Sequence, residues 1–264
     1  MIRIKRIVLY RHFSDNRADQ TKIMKILAIE SSGLVASAAL VQDDILVAEY
    51  TTDHKKTHSI TLMPMIEEIM RMTETDTSEL DAIAVSAGPG SFTGLRIGSA
   101  TAKGMGLVAG IPLINVPSLE GLAYNLWGSK DLVCPIMDAR RGQVYCGIYR
   151  FTDDANGLRY LESVREQDAC DMRELIEYIN GRGERVIFLG DGVPVFCDMI
   201  KSECAVDFSF APAHLNRQRA SSVAALGRVY FEKGLTVTAA EHAPVYMRKS
   251  QAEREREERL GGSV

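Results

Sequence analysis

The stretch from Leu80 to Val116, LDAIAVSAGPGSFTGLRIGSATAKGMGLVAGIPLINV, decides the fold of this 264-residue chain. The apolar run at 81–88 predicts a strand, and the glycine-rich turn that ends it leads into a predicted helix from Thr93 to Val108. The run PLINV at 112–116 predicts another buried strand. Strand, helix and strand in this order are typical of an α/β protein.

The sequence on either side extends this pattern into two similar halves. From Met24, MKILAIESSGLVASAALVQDDILVAEYTT predicts three antiparallel strands, and HSITLMPMIEEIMRM at 58–72 predicts a helix with an apolar stripe. Downstream, a looser repeat gives strand, turn, strand, helix, strand and helix in the segments LVCPIMDARRGQVYCGIYRF, DMRELIEYI, RVIFLGDG and ASSVAALGRVYFEKG. The prediction is the order β-β-β-α-β-α in each half. We expect an N-terminal extension at 1–23, an N-terminal lobe at 24–110, a C-terminal lobe at 111–246 and a charged tail at 247–264.

Composition narrows the class of protein. With 46% hydrophobic and 25% charged residues, the chain has the make-up of a globular protein. The net charge of −4 divides into +4 on residues 1–23 and −8 on the remainder, and an acidic body repels nucleic acid. The five cysteines contain no C-x-x-C pair, which favours reduced thiols in a cytoplasmic protein. No stretch approaches the roughly twenty apolar residues of a membrane span, so we expect no membrane contact.

The glycine-rich turn allows two interpretations. Its glycines are spaced G-x-G-x-x-x-G and no lysine follows, so neither a dinucleotide fingerprint nor a Walker-type phosphate loop fits. It is either a turn that lets a strand become a helix, with Ser91 or Thr93 as the cap, or a loop that touches a ligand. The candidate residues of this loop are Gly88, Pro89, Gly90, Ser91, Phe92, Thr93 and Arg96.

The helix that follows carries a strip of small residues. Four-residue intervals separate Gly94, Gly98, Ala102, Gly106 and Gly110. Each glycine weakens an isolated helix by about 1 kcal/mol relative to alanine, so a close packing partner must compensate. Core packing within the domain and a helix bundle between subunits both satisfy this requirement.

Candidates for metal binding and nucleophilic catalysis are weak. His54 and His58 have the i,i+4 spacing of a helical metal site, but two lysines lie between them, which favours a solvated pair. No Ser-His-Asp or Cys-His set follows from the spacing. The turn MDARRG places Asp138, Arg140 and Arg141 between two strands, either as a charged hairpin tip or as a contact for a partner or a phosphate. The sequence therefore predicts neither a catalytic residue nor a metal site.

These segments resemble the TsaB family, also called YeaZ, whose members are paralogues of the carbamoyltransferase TsaD. The resemblance covers about residues 24–252 and is most specific in SAGPGSFTGLRIGSATAKGMGLVAGIPLINVPSLEGLA. Further matching segments are MKILAIESSGLVASAAL, HSITLMPMIEEIM, MDARRGQVYCGIY and APVYMRKSQAE. The resemblance implies a two-lobed α/β fold of the actin/hexokinase/heat-shock-chaperone type, which is ribonuclease-H-like, and a role in forming threonylcarbamoyladenosine in tRNA.

The resemblance also implies a subunit without catalytic activity. TsaD-like paralogues carry N-H-x-E-x-H where this chain has VPSLEGLA, so Ser118 and Leu122 occupy the positions of two metal-binding histidines. The implied partners are a TsaD-type catalytic subunit and a TsaE-type ATPase, with tRNA bound only through the complex and a homodimer possible. ATP and a metal ion are expected on the partners, with no cofactor bound by this chain alone. The residues expected at the partner interface are Leu62, Met63, Ile66, Ile69, Met70, Gly94, Gly98, Ala102, Met105 and Gly106.

A small-molecule kinase of the same superfamily, dependent on ATP, is the alternative. Kinases of that fold carry an early aspartate in a D-x-G-like hairpin, whereas the first hairpin here reads Glu30-Ser31-Ser32-Gly33. The segment FLGDGV at 188–193 is too short to identify an adenosine site. The departure at Glu30 favours the non-catalytic subunit.

Overall fold

The structure, a computed structural model, describes residues 23–54, 57–155 and 157–248. The expected extension at 1–23, apart from its last residue, and the expected tail beyond residue 248 lie outside the described residues. The described part forms two five-stranded mixed sheets with helices packed against them.

The first sheet has the strand order β3-β2-β1-β4-β5. Its first three strands are antiparallel, as predicted, whereas β4 and β5 run parallel to β1. The strands are β1 (Lys25–Glu30), β2 (Ala36–Gln42), β3 (Ile45–Thr52), β4 (Ala82–Ser86) and β5 (Leu113–Val116). Two helices, α1 (His58–Met72) and α2 (Phe92–Ala109), pack against one face of this sheet and agree with the predicted helices to within one residue.

The second sheet repeats this arrangement with the order β10-β9-β6-β7-β8. Its elements are β6 (Leu132–Arg140), β7 (Gln143–Asp153), β8 (Arg159–Asp171), α4 (Met172–Arg182), β9 (Val186–Leu189), α5 (Val193–Glu203) and β10 (Phe208–Phe210). Between the sheets lie α3 (Ser118–Ala123) and a short 3-10 helix at Tyr124–Leu126, and another 3-10 helix at Thr77–Glu79 precedes β4. The predicted order β-β-β-α-β-α is confirmed in each half, although β8 and α5 of the second half were not among the predicted segments.

The division into lobes differs from the prediction at residue 110. Strand β5 lies beyond that boundary but pairs with β4 in the first sheet. The last helix, α6 (Ala220–Glu232), also returns to the first sheet and packs against β1 and β2. The sequence gives no local sign of this return because sheet membership depends on long-range pairing rather than on periodicity.

The central strands of the first sheet are buried on both faces. Alternate residues of β1 point to opposite sides, so that Leu27 and Ile29 face α1 and α2 while Ile26 and Ala28 face α6. The α6 side continues through α3 into the second sheet and forms one core shared by both lobes. This shared core joins the two lobes, each of which contributes a hairpin to the cleft described next.

Candidate functional site

The glycine-rich turn packs against the first hairpin and against the C-terminal segment. A Cβ atom on Gly90 would lie 2.2 Å from the backbone oxygen of Ser32, and one on Gly88 would lie 2.2 Å from that of Val245. The backbone N–H of Ser91 donates to the oxygen of Ser32 at 2.6 Å. The Ser91 hydroxyl accepts a hydrogen bond from the N–H of Gly94 and caps α2. These contacts account for the glycines as a strand-to-helix turn, so no ligand is needed to explain them.

The strip of small residues on α2 faces the lobe's own sheet. A Cβ atom on Gly94 would lie 2.1 Å from the backbone oxygen of Ser31, and one on Gly98 would lie 2.3 Å from the Ser31 hydroxyl. Ala102, on the same strip of this helix, is fully buried. The close partner that accounts for Gly94 and Gly98 is therefore Ser31, just past the end of β1 and inside the same lobe.

Burial corrects most of the predicted partner interface. A side chain that is enclosed in its own lobe cannot contact a second subunit without rearrangement. The prediction is therefore wrong for the buried residues Leu62, Ile66, Ile69, Gly94, Gly98, Ala102 and Gly106. Of the other three, Met63 is exposed, and Met70 and Met105 are half-buried. For these the interface stays a prediction.

The opposite sides of the two helices are exposed, and we call them together the α1–α2 face. It consists of Ile60, Met63, Ala100, Gly104, Leu107 and Val108, all of them exposed. Val108 has 90% of its surface accessible. A Cβ atom on Gly104 would meet nothing within 4 Å, so the lobe itself gives no reason for a glycine there. The sequence analysis missed this exposed strip, because Ala100, Gly104 and Val108 repeat every four residues just as the buried strip does.

A cleft between the two lobes brings the glycine turn and the MDARRG hairpin together. Its cavity has a volume of about 350 Å³. The walls come from the first hairpin, the glycine turn, the end of β6, the β9–α5 turn and the C-terminal segment. The lining residues include Ser32, Gly33, Gly90, Ser91, Phe92, Asp138, Arg140, Asp191, Tyr246 and Arg248.

Of the charged groups that line the cleft, Asp138 and Arg140 pair with each other, whereas one carboxylate oxygen of Asp191 is buried without a hydrogen-bond partner among the described residues. The Asp138 carboxylate accepts a hydrogen bond from the N–H of Arg140 at 2.8 Å and lies 3.3 Å from the Arg140 guanidinium. Burial raises the pKa of Asp191 to about 6, although the Arg217 guanidinium opposes this rise. Two carboxyl groups on the walls repel a phosphate. The hairpin tip therefore fits a self-paired charged turn better than a phosphate contact.

Aromatic stacking occupies the rim of the cleft. The Arg96 guanidinium lies 4.1 Å from the centre of the Phe92 ring, and that ring is 4.4 Å from the ring of Tyr246. Arg141 is exposed at the hairpin tip and, like Arg140, has a positive φ angle. Arg96 and Asp138 thus have separate partners within the chain and do not contact each other.

Ser118 and Leu122, at the positions of the two histidine ligands of TsaD-like paralogues, are unsuited to a metal ion. Ser118 is buried, and its hydroxyl accepts a hydrogen bond from the N–H of Gly88 at 3.1 Å. Leu122 is buried in the shared core. Among the residues that the structure describes, no group of three or more His, Cys, Asp or Glu side chains could hold a metal ion. The donors present here do not fit the metal of TsaD-like paralogues.

His58 and Glu30 hold the first hairpin from inside the lobe. The ring nitrogen Nε2 of His58 lies 2.9 Å from the backbone oxygen of Gly33, so the prediction of a solvated histidine pair is wrong for His58. The Glu30 carboxylate accepts hydrogen bonds from the N–H and the hydroxyl of Ser32, both at 2.6 Å, and from the Ser86 hydroxyl. Burial raises the pKa of Glu30 in spite of these donors. Glu30 is thus a structural group beneath the hairpin.

The duplicated sheet order and the cleft between the halves define the class as a two-lobed α/β protein of the TsaD/actin-like type. The family model described as TsaD, tRNA N6-adenosine threonylcarbamoyltransferase, matches residues 46–256. The solved structure of YeaZ from Pseudomonas aeruginosa superposes with a TM-score of 0.70 at 22% identity, covering 84% of this chain and 99% of that one.

Curated relatives identify the branch within this class. TsaB, the tRNA threonylcarbamoyladenosine biosynthesis protein of Bacillus subtilis (strain 168), is 36% identical over 205 residues, which span 78% of this chain and 87% of the relative. TsaB of Escherichia coli (strain K12) is 31% identical over 233 residues, or 87% of this chain and 96% of the relative. The chain belongs to the TsaB family. Nothing in these comparisons favours the kinase alternative.

Proposed function

We propose that this chain is the non-catalytic subunit that binds and activates a TsaD-type transferase during threonylcarbamoyladenosine formation in tRNA. Family membership supports the pathway, and the burial of Ser118 and Leu122 supports the absence of a catalytic metal on this chain. ATP and the metal ion then belong to partner subunits, a TsaE-type ATPase among them. The acidic body is consistent with tRNA binding through the complex rather than through this chain alone.

The α1–α2 face is the surface we assign to the transferase. Ala100 and Gly104 present almost no side chain, so another helix can approach closely there. Leu107 and Val108 on the same helix and Ile60 on α1 add exposed apolar area, which is a feature of association surfaces. Gly104 is the observation that carries this assignment, because a glycine inside a helix costs about 1 kcal/mol relative to alanine and no internal contact offsets it.

Reconstitution tests the role. The purified TsaD-type and TsaE-type proteins of the same organism are incubated with tRNA, ATP and the threonylcarbamoyl precursors, with and without this chain. Modified nucleoside is then measured by mass spectrometry of digested tRNA. We expect product only when this chain is present. Equal product without it would refute the activating role.

The substitution Gly104→Gln tests the surface. Glutamine favours the helix, so the free chain should be at least as stable, while its side chain blocks close approach of another helix. We expect at least a tenfold loss of affinity for the transferase in calorimetry and an unchanged circular dichroism spectrum.

Gly181→Gln is the matched control for that substitution. Gly181 is also an exposed glycine inside a helix, α4, with nothing within 4 Å of a Cβ atom. This variant should bind the transferase normally. If both variants bind like the unaltered chain, the transferase contacts a different surface.

The remaining assignments are also proposals. We place the protein in the cytoplasm, where tRNA is modified, and infer that a homodimer through the α1–α2 face competes with the transferase for this chain. Among the described helices, none has the length and apolar character needed to cross a membrane.

A further inference from the structure

Two cysteines of the second sheet face each other in the core beside α4. The sulfur atoms of Cys146 on β7 and Cys170 on β8 are 3.3 Å apart. The strands are antiparallel, with Val144 opposite Cys170 and Cys146 opposite Asp168, so the two thiols are diagonal neighbours on the same side of the sheet. Both cysteines are reduced in this structure.

The pairing of the two strands is irregular at this point. The register of the β7–β8 ladder shifts between Cys146 and Ile148, and such irregularities increase the local twist of the strands. A disulfide has an S–S distance of about 2.05 Å, so the sulfurs need to approach by little more than about 1 Å. Rotation of the two side chains supplies a movement of this size.

The two thiols differ in their surroundings. Cys146 is fully buried, whereas Cys170 retains 5% of its surface and lies near the end of β8. The hydrogen bond with Cys146 lowers the pKa of Cys170, and the Arg165 guanidinium acts in the same direction against the effect of burial. Cys170 is thus the more nucleophilic partner, and Cys146 is placed to react second.

We propose that Cys146 and Cys170 form a reversible disulfide when the protein meets a peroxide. The Cys170 thiolate attacks one oxygen of hydrogen peroxide, the O–O bond breaks, and a sulfenic acid and hydroxide result. Cys146 then gives up its proton, its sulfur attacks the sulfenic sulfur, and the S–O bond breaks with loss of water. The sum is two thiols and one peroxide giving one disulfide and two waters, and a dithiol reductant reverses it.

The location gives the cross-link a structural consequence. Cys170 lies one residue before Asp171, which pairs with Gln143 at the base of the MDARRG hairpin. A disulfide here ties β7 to β8 just below the hairpin tip that lines the interlobe cleft. Oxidation would therefore restrain one wall of the cleft, and reduction would release it.

Peptide mapping tests the proposal on the full chain. The folded protein is treated with hydrogen peroxide, excess peroxide is removed, and thiols are counted after denaturation. We expect the five thiols to fall to three and to return to five after dithiothreitol. Trypsin under non-reducing conditions should join peptides 142–150 and 166–173, each with a single cysteine, in a species two hydrogens lighter than their sum.

Variants separate the two steps. In Cys146→Ala the sulfenic acid at Cys170 should persist and react with dimedone, and in Cys170→Ser the folded protein should lose no thiol at position 146. Cys197→Ser is the control, since Cys197 lies on α5 outside the pair and its loss should leave the cross-link intact. A cross-link between other cysteines, or five thiols surviving peroxide that oxidises free glutathione, overturns the proposal. Should a variant fail to fold, the peptide map of the unaltered chain decides.

Discussion

At the scale of single residues, Ser31 accounts for two of the glycines of α2. It lies just past the end of β1, where the helix crosses, and its hydroxyl donates to the backbone oxygen of Gly94 at 2.9 Å. Gly94 and Gly98 face it directly. On the far side of the same helix, Gly104 faces open space. Glycines of one helix therefore have opposite roles, and substitution distinguishes them.

We expect Gly94→Ala and Gly104→Ala to change stability in opposite directions. The new methyl group at position 94 would lie 2.1 Å from a backbone oxygen, and overpacking of this kind costs about 1–3 kcal/mol. At position 104 alanine relieves the helix of up to about 1 kcal/mol. Urea unfolding followed by circular dichroism measures both. A stable Gly94→Ala variant would show that the helix can move away from β1.

Residue patterns in the sequence predict a small-residue helix but not which strip of it is buried. The buried strip and the exposed strip both repeat every four residues and lie two positions apart. Only the contact with Ser31, just past the end of β1, selects between them, and that is a tertiary contact. For the same reason, the sequence alone does not distinguish the exposed Met63 from the enclosed Leu62 beside it.

At the scale of elements, the segment after α6 fastens α2 to β5. The backbone of Val237 pairs with Leu113, and the Lys103 ammonium donates to the backbone oxygen of His242 at 2.9 Å. The buried imidazole of His242 lies between Asn115 and Ser99, with its Nε2 atom 2.9 Å from the serine hydroxyl. This short segment thus links a helix and a strand through one histidine.

The His242 link should make stability dependent on pH. Burial lowers the pKa of His242, and the nearby Lys103 ammonium acts in the same direction. The folded state therefore binds fewer protons than the unfolded state below pH about 6.5. The contribution of His242 to the free energy of unfolding is thus complete above that pH and is lost as the pH drops through the folded pKa. The slope contributed by one such group is at most about 1.4 kcal/mol per pH unit.

Urea unfolding of the chain and of His242→Gln between pH 5 and 8 checks this. The variant keeps hydrogen-bonding capacity but does not titrate, so its stability should vary less with pH than that of the unaltered chain. Parallel pH profiles would show that His242 is not the group responsible.

Several elements were predictable from their apolar pattern, whereas β8, α5 and α3 were missed. The helices α1, α2 and α6 carry clear stripes, and the apolar runs of β1, β4 and β5 stand out. The segment of β8, RYLESVREQDACD, alternates around only a few buried positions. The turn before α5 hides its start, and α3 is only six residues long. The cleft could not be predicted, because it exists only where separate elements meet.

At the scale of the whole molecule, the last helix completes the first lobe. Val223, Leu226, Val229 and Tyr230 of α6 are buried in the shared core. Burial of each such side chain contributes about 1.5–3 kcal/mol, so together they match the net stability of an ordinary domain. The first lobe therefore depends on residues at the far end of the chain.

A chain ending at Arg219 should lose the cooperative fold of its first lobe. Without α6 the inner face of the first sheet, including Ile26 and Ala28, is exposed to water. Thermal unfolding followed by circular dichroism should show no sharp transition, whereas a chain ending at Arg248 should melt like the full chain. A native-like transition in the shorter chain would contradict the dependence of the first lobe on α6.

The described chain passes between the lobes only twice, through 117–131 and through 211–219. These two neighbouring segments can act together as a hinge between the lobes. Rotation of one lobe about this hinge would widen the mouth of the cleft and break the hydrogen bond from Arg248 to the backbone oxygen of Ala139. Helices α1 and α2 both belong to the first lobe and would move with it as a rigid unit. A transferase bound to these two helices would leave the cleft free to open and close.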